Sequence, residues 1–302
     1  MWIDPNVARK GSIVKEHIAA GHHKNDAFPL FSLFEINISG MCNRFCEFCP
    51  RANPRIYPNK NEYISNALYK KIISELKGLD YDGIIAYSGF SEPLFHKQIN
   101  ELLSAARESC PGSRLELYTN GDMLNAEKLV KLFKSGLTSI HISLYDGTEQ
   151  KEKFLSMRDT AGIEAGRFIL RERFLSREEG YGLTLSNRAG MINFRQLGKE
   201  KLTQPLKKEC YYPFYMMFVD YTGEVILCSH DWGKKLVTGN LNNESIAGVW
   251  TGGIMNSVRE RLSHKSRNFS PCNACDVAGT FMGEEHFIKW KDYYKKQPWR
   301  KS

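Results

Sequence analysis

The chain has 302 residues, 42% of them hydrophobic and 25% charged, with a formal net charge of +8. That is the composition of a globular protein rather than a disordered or fibrous one, and the length suits one barrel or a large domain with a small companion. No run of about 18 apolar residues is present to cross a membrane, and residues 1–17 lack the apolar stretch of a secretion signal, so a cytoplasmic, reducing location is expected.

In chain order, residues 1–30, with Gly-His-His at 21–23, read as a polar, irregular extension. From Phe31 onward strand-like and helix-like segments alternate. Phe34 to Ser39 alternates apolar and polar residues and runs into Met41-Cys42-Asn43-Arg44-Phe45-Cys46-Glu47-Phe48-Cys49-Pro50. Asn66–Leu76 has helical periodicity, with Ser65 as its N-cap. Gly83–Tyr87 is a short strand leading into Ser88-Gly89-Phe90-Ser91-Glu92-Pro93. A helix at Ile99–Glu108 precedes a strand at Arg114–Tyr118, which ends in Thr119-Asn120-Gly121. A helix at Ala126–Ser135 precedes a strand at Thr138–Leu144, followed by Tyr145-Asp146-Gly147. Helical residues come around 149–158, then strand candidates at Arg167–Phe174 and Tyr181–Ser186.

This alternation predicts an α/β fold with a parallel sheet and right-handed crossovers. Too few units precede Cys210 for a closed eight-stranded barrel, so a partial (β/α)6 TIM-like barrel is expected. The polar stretch at 195–209 marks a boundary. The expected division is an extension at 1–30, the barrel at 31–200, a small cysteine-rich domain at 201–285 and a basic tail at 286–302. In the tail Lys289, Lys291, Lys295, Lys296, Arg300 and Lys301 interleave with Trp290, Tyr293, Tyr294 and Trp299. Such a run can bind nucleic acid; the reading preferred here is a solvated helix with one packed face.

The cysteines carry the chemistry. Cys42, Cys46 and Cys49 have C-x3-C-x2-C spacing. Three thiolates in one short loop can hold three irons of a cubane 4Fe–4S cluster, leaving the fourth iron open to bind and polarise a small molecule. A zinc knuckle would need a fourth ligand nearby, and the following residues supply neither His nor Cys. Cys210, Cys228, Cys272 and Cys275 form a second set, sufficient for a fully ligated cluster or for a zinc site with four cysteine ligands.

The first loop resembles the signature of the radical S-adenosylmethionine (SAM) enzymes, in which the open iron chelates SAM. The resemblance implies a 5′-deoxyadenosyl radical, a partial barrel and a reductant such as flavodoxin or ferredoxin. It places Phe48 near the adenine. Glu92, with Ser88 beside it, would face the SAM amino group, although Glu92 could equally be a helix-start acid. Asn120 would lie near the methionine or ribose unless Asn-Gly is a plain turn, and Ser143 would offer a hydroxyl. Arg171 and Arg173, two apart on a strand, share a face. They would pair with the SAM carboxylate if that face is inward, or be solvated if it is outward. The second cysteine set, with Gly239-Asn240-Leu241 and Trp250, resembles the SPASM extension of these enzymes in its shorter, twitch form. The implied cofactors are two 4Fe–4S clusters and SAM.

Cys110 is left over, and its place before the third strand puts it at the barrel end opposite the chemistry. With no thiol placed to return hydrogen, a closed second cluster suits removal of an electron. Twitch-type enzymes known for this act on aminocyclitols. The expected reaction is thus oxidation of a carbinol in a sugar, aminocyclitol or aminoglycoside-like substrate, of the kind met in antibiotic biosynthesis. Arg188, Tyr87, His230 and Asp231 are the candidate polar contacts. Epimerisation of a similar substrate, modification of a ribosomal peptide, and a non-catalytic zinc protein binding nucleic acid are the alternatives; neither a membrane nor nucleic acid is the expected partner.

Overall fold

The structure, a computed structural model, describes residues 4–19 and 27–297. The Gly-His-His run at 21–23 and Trp299, Arg300 and Lys301 lie outside the described residues. Helix α1 (Pro5–Ala19) opens the chain, followed by β1 (Leu33–Ile36), α2 (Asn66–Gly78), β2 (Ile84–Tyr87), α3 (Ile99–Ser109), β3 (Arg114–Thr119), α4 (Ala126–Lys134), β4 (Ser139–Leu144), α5 (Thr148–Ala161) and β5 (Phe168–Glu172). The remainder comprises α6 (Tyr212–Tyr215), β6 (Met216–Val219), β7 (Glu224–Ile226), β8 (Val237–Asn240), α7 (Ile246–Trp250), α8 (Gly253–Ser263) and α9 (Glu284–Lys295).

These strands form one sheet in the order β5-β4-β3-β2-β1-β6-β7-β8. The first five strands and β6 are parallel, and β6 to β8 pair antiparallel. Six parallel strands are present, as the partial barrel requires, but the sixth is not the expected Tyr181–Ser186. That segment holds a tight turn at Gly180–Gly182, where glycines at positive φ break the strand. The sixth strand comes from beyond Cys210 and pairs with β1. The sheet therefore runs unbroken from the barrel into the cysteine-rich region.

Alternation along each strand separates two faces. Phe34, Ile36, Ile85, Tyr87, Leu115, Leu117, Ile140 and Ile142 pack in the main apolar core with residues of α2, α3 and α4. The opposite face carries Glu35, Glu116, Tyr118, His141, Ser143 and Arg171, a polar set that an ordinary buried parallel sheet lacks. Helix α2 starts where Ser65 accepts a hydrogen bond from Leu68 N at 3.1 Å.

The N-terminal extension is not irregular. Helix α1 lies against the polar face of the sheet. Arg9 donates to both carboxylate oxygens of buried Glu116, at 3.0 and 2.8 Å. Asp4 pairs with Arg173, and Val14 and Ile18 are buried. The basic tail forms α9, which buries Phe287, Trp290 and Tyr294. Arg259 is sandwiched between Trp250 and Trp290, 4.0 and 3.8 Å from their ring centroids. The packed-face reading of the tail is the one observed over Glu284–Lys295.

Candidate active site

The loops that follow the parallel strands meet over the polar face. Cys42, Cys46 and Cys49 lie in the loop after β1 and line a cavity of about 260 Å³. Arg44 pins this loop, with a two-pronged contact to Asp122 after β3 and another to Asp146 after β4, all four distances being 2.6–2.9 Å. Asp146 is thus more than a turn residue. Asn120 donates to Asn43 at 2.7 Å, and Asn59 exchanges two 3.0 Å hydrogen bonds with the backbone of Cys42. Burial raises the thiol of Cys46 to about 12, and the neighbouring Cys49 and Cys42 push it the same way. Three cysteines on one cavity are a donor set suited to a shared cationic centre, which would neutralise their thiolates once deprotonated. The three residues fit one open cluster.

Phe48, Ser88, Glu92, Asn120, Ser143, Arg171, Arg173 and Arg188 all line this same cavity. Phe48 stacks near-parallel to Tyr145, with centroids 6.3 Å apart, and packs against Tyr181 at 5.0 Å. Glu92 is buried, and burial lifts its carboxyl to about 7 even though it accepts from Thr119 Oγ1 at 2.6 Å, Asn120 N at 2.8 Å and Leu94 N at 3.0 Å. It therefore ties the loop after β2 to the end of β3. Arg171 and Arg173 face inward; the solvated arrangement is ruled out for Arg173, which is 5% exposed and paired with Asp4.

A second cavity of about 270 Å³ adjoins the first and shares Glu35, Ser88, Tyr118, Arg171, Arg188 and Ser229 with it. Its far wall is built from residues next to the second cysteine set: Tyr212, His230 and Asp276 to Gly279. His230 is buried, with Nδ1 3.3 Å from Ser186 Oγ and Nε2 3.0 Å from Tyr212 Oη. Burial, aided by the positive charge of Arg188, lowers its pKa to about 3. Arg188 sits at φ +48°, and its buried Nε has no hydrogen-bond partner.

Cys210, Cys228, Cys272 and Cys275 converge behind that wall. Burial raises the thiol of Cys228 strongly, and Cys272, Cys210 and Cys275 each add to the rise, so the four sense one another. Arg267, 2% exposed, gathers the segments by donating to the carbonyls of Lys208, Glu209, Val277 and Ala278 at 2.6–2.9 Å. Gly279, at φ +76°, passes so close that a Cβ there would stand 2.5 Å from Cys210 Sγ. The four residues fit a closed cluster.

Two expectations fail. Tyr87 has the wrong strand parity for the cavity. It is fully buried among the helices and its hydroxyl hydrogen-bonds Tyr69 Oη at 2.5 Å. Asp231 lines neither cavity. Its carboxylate accepts from the backbone of Lys235 and Leu236 at 3.0 and 2.9 Å, shaping a turn. Cys110 is buried at the end of α3 in the helix-side core. Asp4, Lys10, Glu35, Tyr118, Tyr145 and Tyr212 line the cavities and were not anticipated. For Glu35 a signal existed, as the acid in an otherwise apolar strand, Leu33–Ile36. For the α1 residues nothing local pointed to the site.

Comparison with known proteins agrees with this geometry. Residues 36–164 match the family model of the Radical SAM superfamily, and residues 210–276 match that of SPASM, an iron–sulfur cluster-binding domain. The S-adenosyl-L-methionine-dependent 2-deoxy-scyllo-inosamine dehydrogenase of Niallia circulans is 29% identical over 260 residues, 85% of this chain and 97% of that protein. The crystal structure of BtrN in complex with AdoMet and 2-DOIA superposes with a TM-score of 0.69 at 26% identity, covering 85% of this chain and 98% of BtrN. The structure of anSMEcpe with bound AdoMet shares the fold, with a TM-score of 0.52 at 12% identity, over 88% of this chain and 98% of that one. The chain thus carries a radical SAM domain at 36–164 followed by a SPASM domain at 210–276, and is a radical SAM enzyme.

Proposed function

We propose that this enzyme oxidises a carbinol carbon of a sugar-, cyclitol- or aminocyclitol-like substrate to a ketone, using two 4Fe–4S clusters and SAM. Cys42, Cys46 and Cys49 would hold the open cluster, which with SAM would supply the radical chemistry for removing the carbinol hydrogen, and Cys210, Cys228, Cys272 and Cys275 would hold the closed cluster, which would serve as electron acceptor. The supporting observation is the position of the second cavity, walled on one side by residues of the Cys42–Cys49 cavity and on the other by residues adjoining Cys210, Cys228 and Cys275. A substrate there lies between the two cysteine sets.

The chain's own residues have separable tasks. Arg44 and Asn120 fix the cysteine loop, and Phe48 with Tyr145 offers an aromatic surface for the adenine. Arg171 and Arg188 stand where the two cavities meet and would orient SAM and substrate toward each other. Glu35 Oε1 accepts from Ser88 at 2.7 Å, and the carboxylate faces both cavities, placed to receive the hydroxyl proton. The dehydrogenase relative makes oxidation the preferred outcome, and the burial of Cys110 in the helix-side core argues against hydrogen return from its thiol.

The experiment is single-turnover reaction of anaerobically reconstituted protein with SAM, dithionite and candidate alcohols. The wild type should hold about eight irons as two cubane clusters and give ketone and 5′-deoxyadenosine in equal amounts. Cys228→Ala should retain SAM cleavage, lose the second cluster's iron and yield no ketone. Solvent deuterium incorporated with inverted stereochemistry, and no ketone, would overturn the proposal in favour of epimerisation.

A further inference from the structure

The substrate cavity is richer in cations than a site for an amine should be. Four basic side chains line it: Lys10, Arg171, Arg188 and Lys199. Three carboxylates share it: Asp4, Glu35 and Asp276. Asp4 is committed to Arg173, with Arg171 3.5 Å away, and Asp276 to Lys199 at 3.1 Å. Glu35 is hydrogen-bonded by Ser88. Lys10 and Arg188 are left, and among the described residues neither side chain has a hydrogen bond or ion pair to a protein group.

Lys10 is the more telling of the two. It lines only the substrate cavity, not the one that holds the cysteine loop, so the SAM carboxylate is not its natural partner. It comes from α1, which lies outside the residues matched by the superfamily model. Its ammonium lies 4.2 Å from the centroid of the Tyr118 ring, which positions it without neutralising it. Desolvation lowers its pKa, the fields of Glu35 and Glu116 oppose that, and those of Arg171 and Arg9 reinforce it. The Glu35 and Glu116 carboxylates act on this desolvated ammonium through their fields without an ion-pair contact, and an incoming anion in direct contact would offset more of its desolvation cost.

Resting on the reading of this cavity as the substrate site, we propose that the substrate is a polyol bearing an acidic group, phosphate or carboxylate, held by Lys10 with Arg188. The helix that carries Lys10 is thereby a specificity element, clamped to the sheet by Arg9–Glu116 and Asp4–Arg173 so that its ammonium is fixed over the cavity. A guanidinium and an ammonium on one anion give a fork and a point charge, a usual pairing for phosphate or carboxylate.

The test is equilibrium binding to the reconstituted full-length enzyme with SAM present. Matched probes would be myo-inositol 1-phosphate against myo-inositol, glucuronate against glucose, and 2-deoxy-scyllo-inosamine as the amine. The expected result is that at least one acidic probe binds about tenfold or more tighter than its neutral partner, and which pair responds tells phosphate from carboxylate. Lys10→Met should abolish that preference and Lys10→Arg should keep it. Lys15→Met, an exposed change on the same helix, should leave it intact. Equal binding of acidic and neutral probes, tighter binding of the amine, or an acidic preference surviving in Lys10→Met would each overturn the proposal. Reductant-dependent cleavage of SAM in the same preparations reports on the radical chemistry separately. A protein that cleaves SAM but shows no acidic preference refutes the substrate class alone.

Discussion

Replacing Arg9 with methionine removes both guanidinium hydrogen bonds to Glu116 and leaves that carboxylate with the Tyr118 hydroxyl at 2.7 Å and the more distant Arg114 guanidinium at 3.8 Å. The Glu116 side chain is 0% exposed and the Arg9 side chain 27%. Burial by itself would push the Glu116 carboxyl up. The Arg9 hydrogen bonds, then the fields of His141, Lys10 and Arg9, outweigh burial and hold it at about 2 against an ordinary 4.5. Because the folded value is depressed, this stabilisation is complete above pH 4.5 and is lost as pH falls toward 2. The depression corresponds to about 3 kcal/mol at neutral pH, in line with the roughly 3–5 kcal/mol seen when one partner of a buried pair is removed. His141 and Lys10 share in that depression, so Arg9→Met should lower stability by up to about 3 kcal/mol at pH 7, a drop of roughly 5 °C in thermal midpoint. The gap from wild type should narrow in acid below pH 4.5. Limited proteolysis should cut first in α1, since that helix loses its main clamp to the sheet. A loss under about 1 kcal/mol at pH 7, with α1 still protected from protease, would refute the account of how this helix is held.

Two further predictions concern residues the chemistry does or does not use. Tyr87→Phe removes only the hydroxyl contact with Tyr69, so it should cost about 1 kcal/mol of stability and leave the rate of 5′-deoxyadenosine formation unchanged; a large rate loss would return Tyr87 to the site. His230, held at about 3 by burial and Arg188, stays neutral across pH 5–8, so its positive charge is unavailable there. The pH profile of kcat/KM should then keep the same shape in His230→Gln as in wild type, even if its height falls. An acid limb near 6.5 that disappears in the variant would contradict this.

How far the molecule was legible in its sequence varies by residue. Both cysteine sets could be read because metal-ligand spacing within a loop is local information. So could Ser65 as a cap and the alternation of strands and helices. Tyr87 could not be placed, since a four-residue strand that is buried on both faces, Ile84–Tyr87, carries no polar–apolar alternation to fix its parity. Asp146 looked like a turn because its partner, Arg44, is 102 residues away in sequence. Helix α1 does not stand out in the sequence because the surface it packs on is polar. Its contact residues Arg9 and Lys10 break the apolar stripe that marks a helix against an ordinary core.

The sequence by itself determined the two cysteine sets, the type of sheet and the class of chemistry, because each depends on residue type and short-range spacing. Only the tertiary structure decided that β6, from beyond Cys210, pairs with β1 and carries the sheet into the second domain. It alone decided that a cavity lies between the two cysteine sets, and that Lys10 of the N-terminal helix lines it. These depend on which distant segments share a face. That outcome is set by burying apolar area on one side of the sheet while pairing charges on the other, a balance struck over the whole chain.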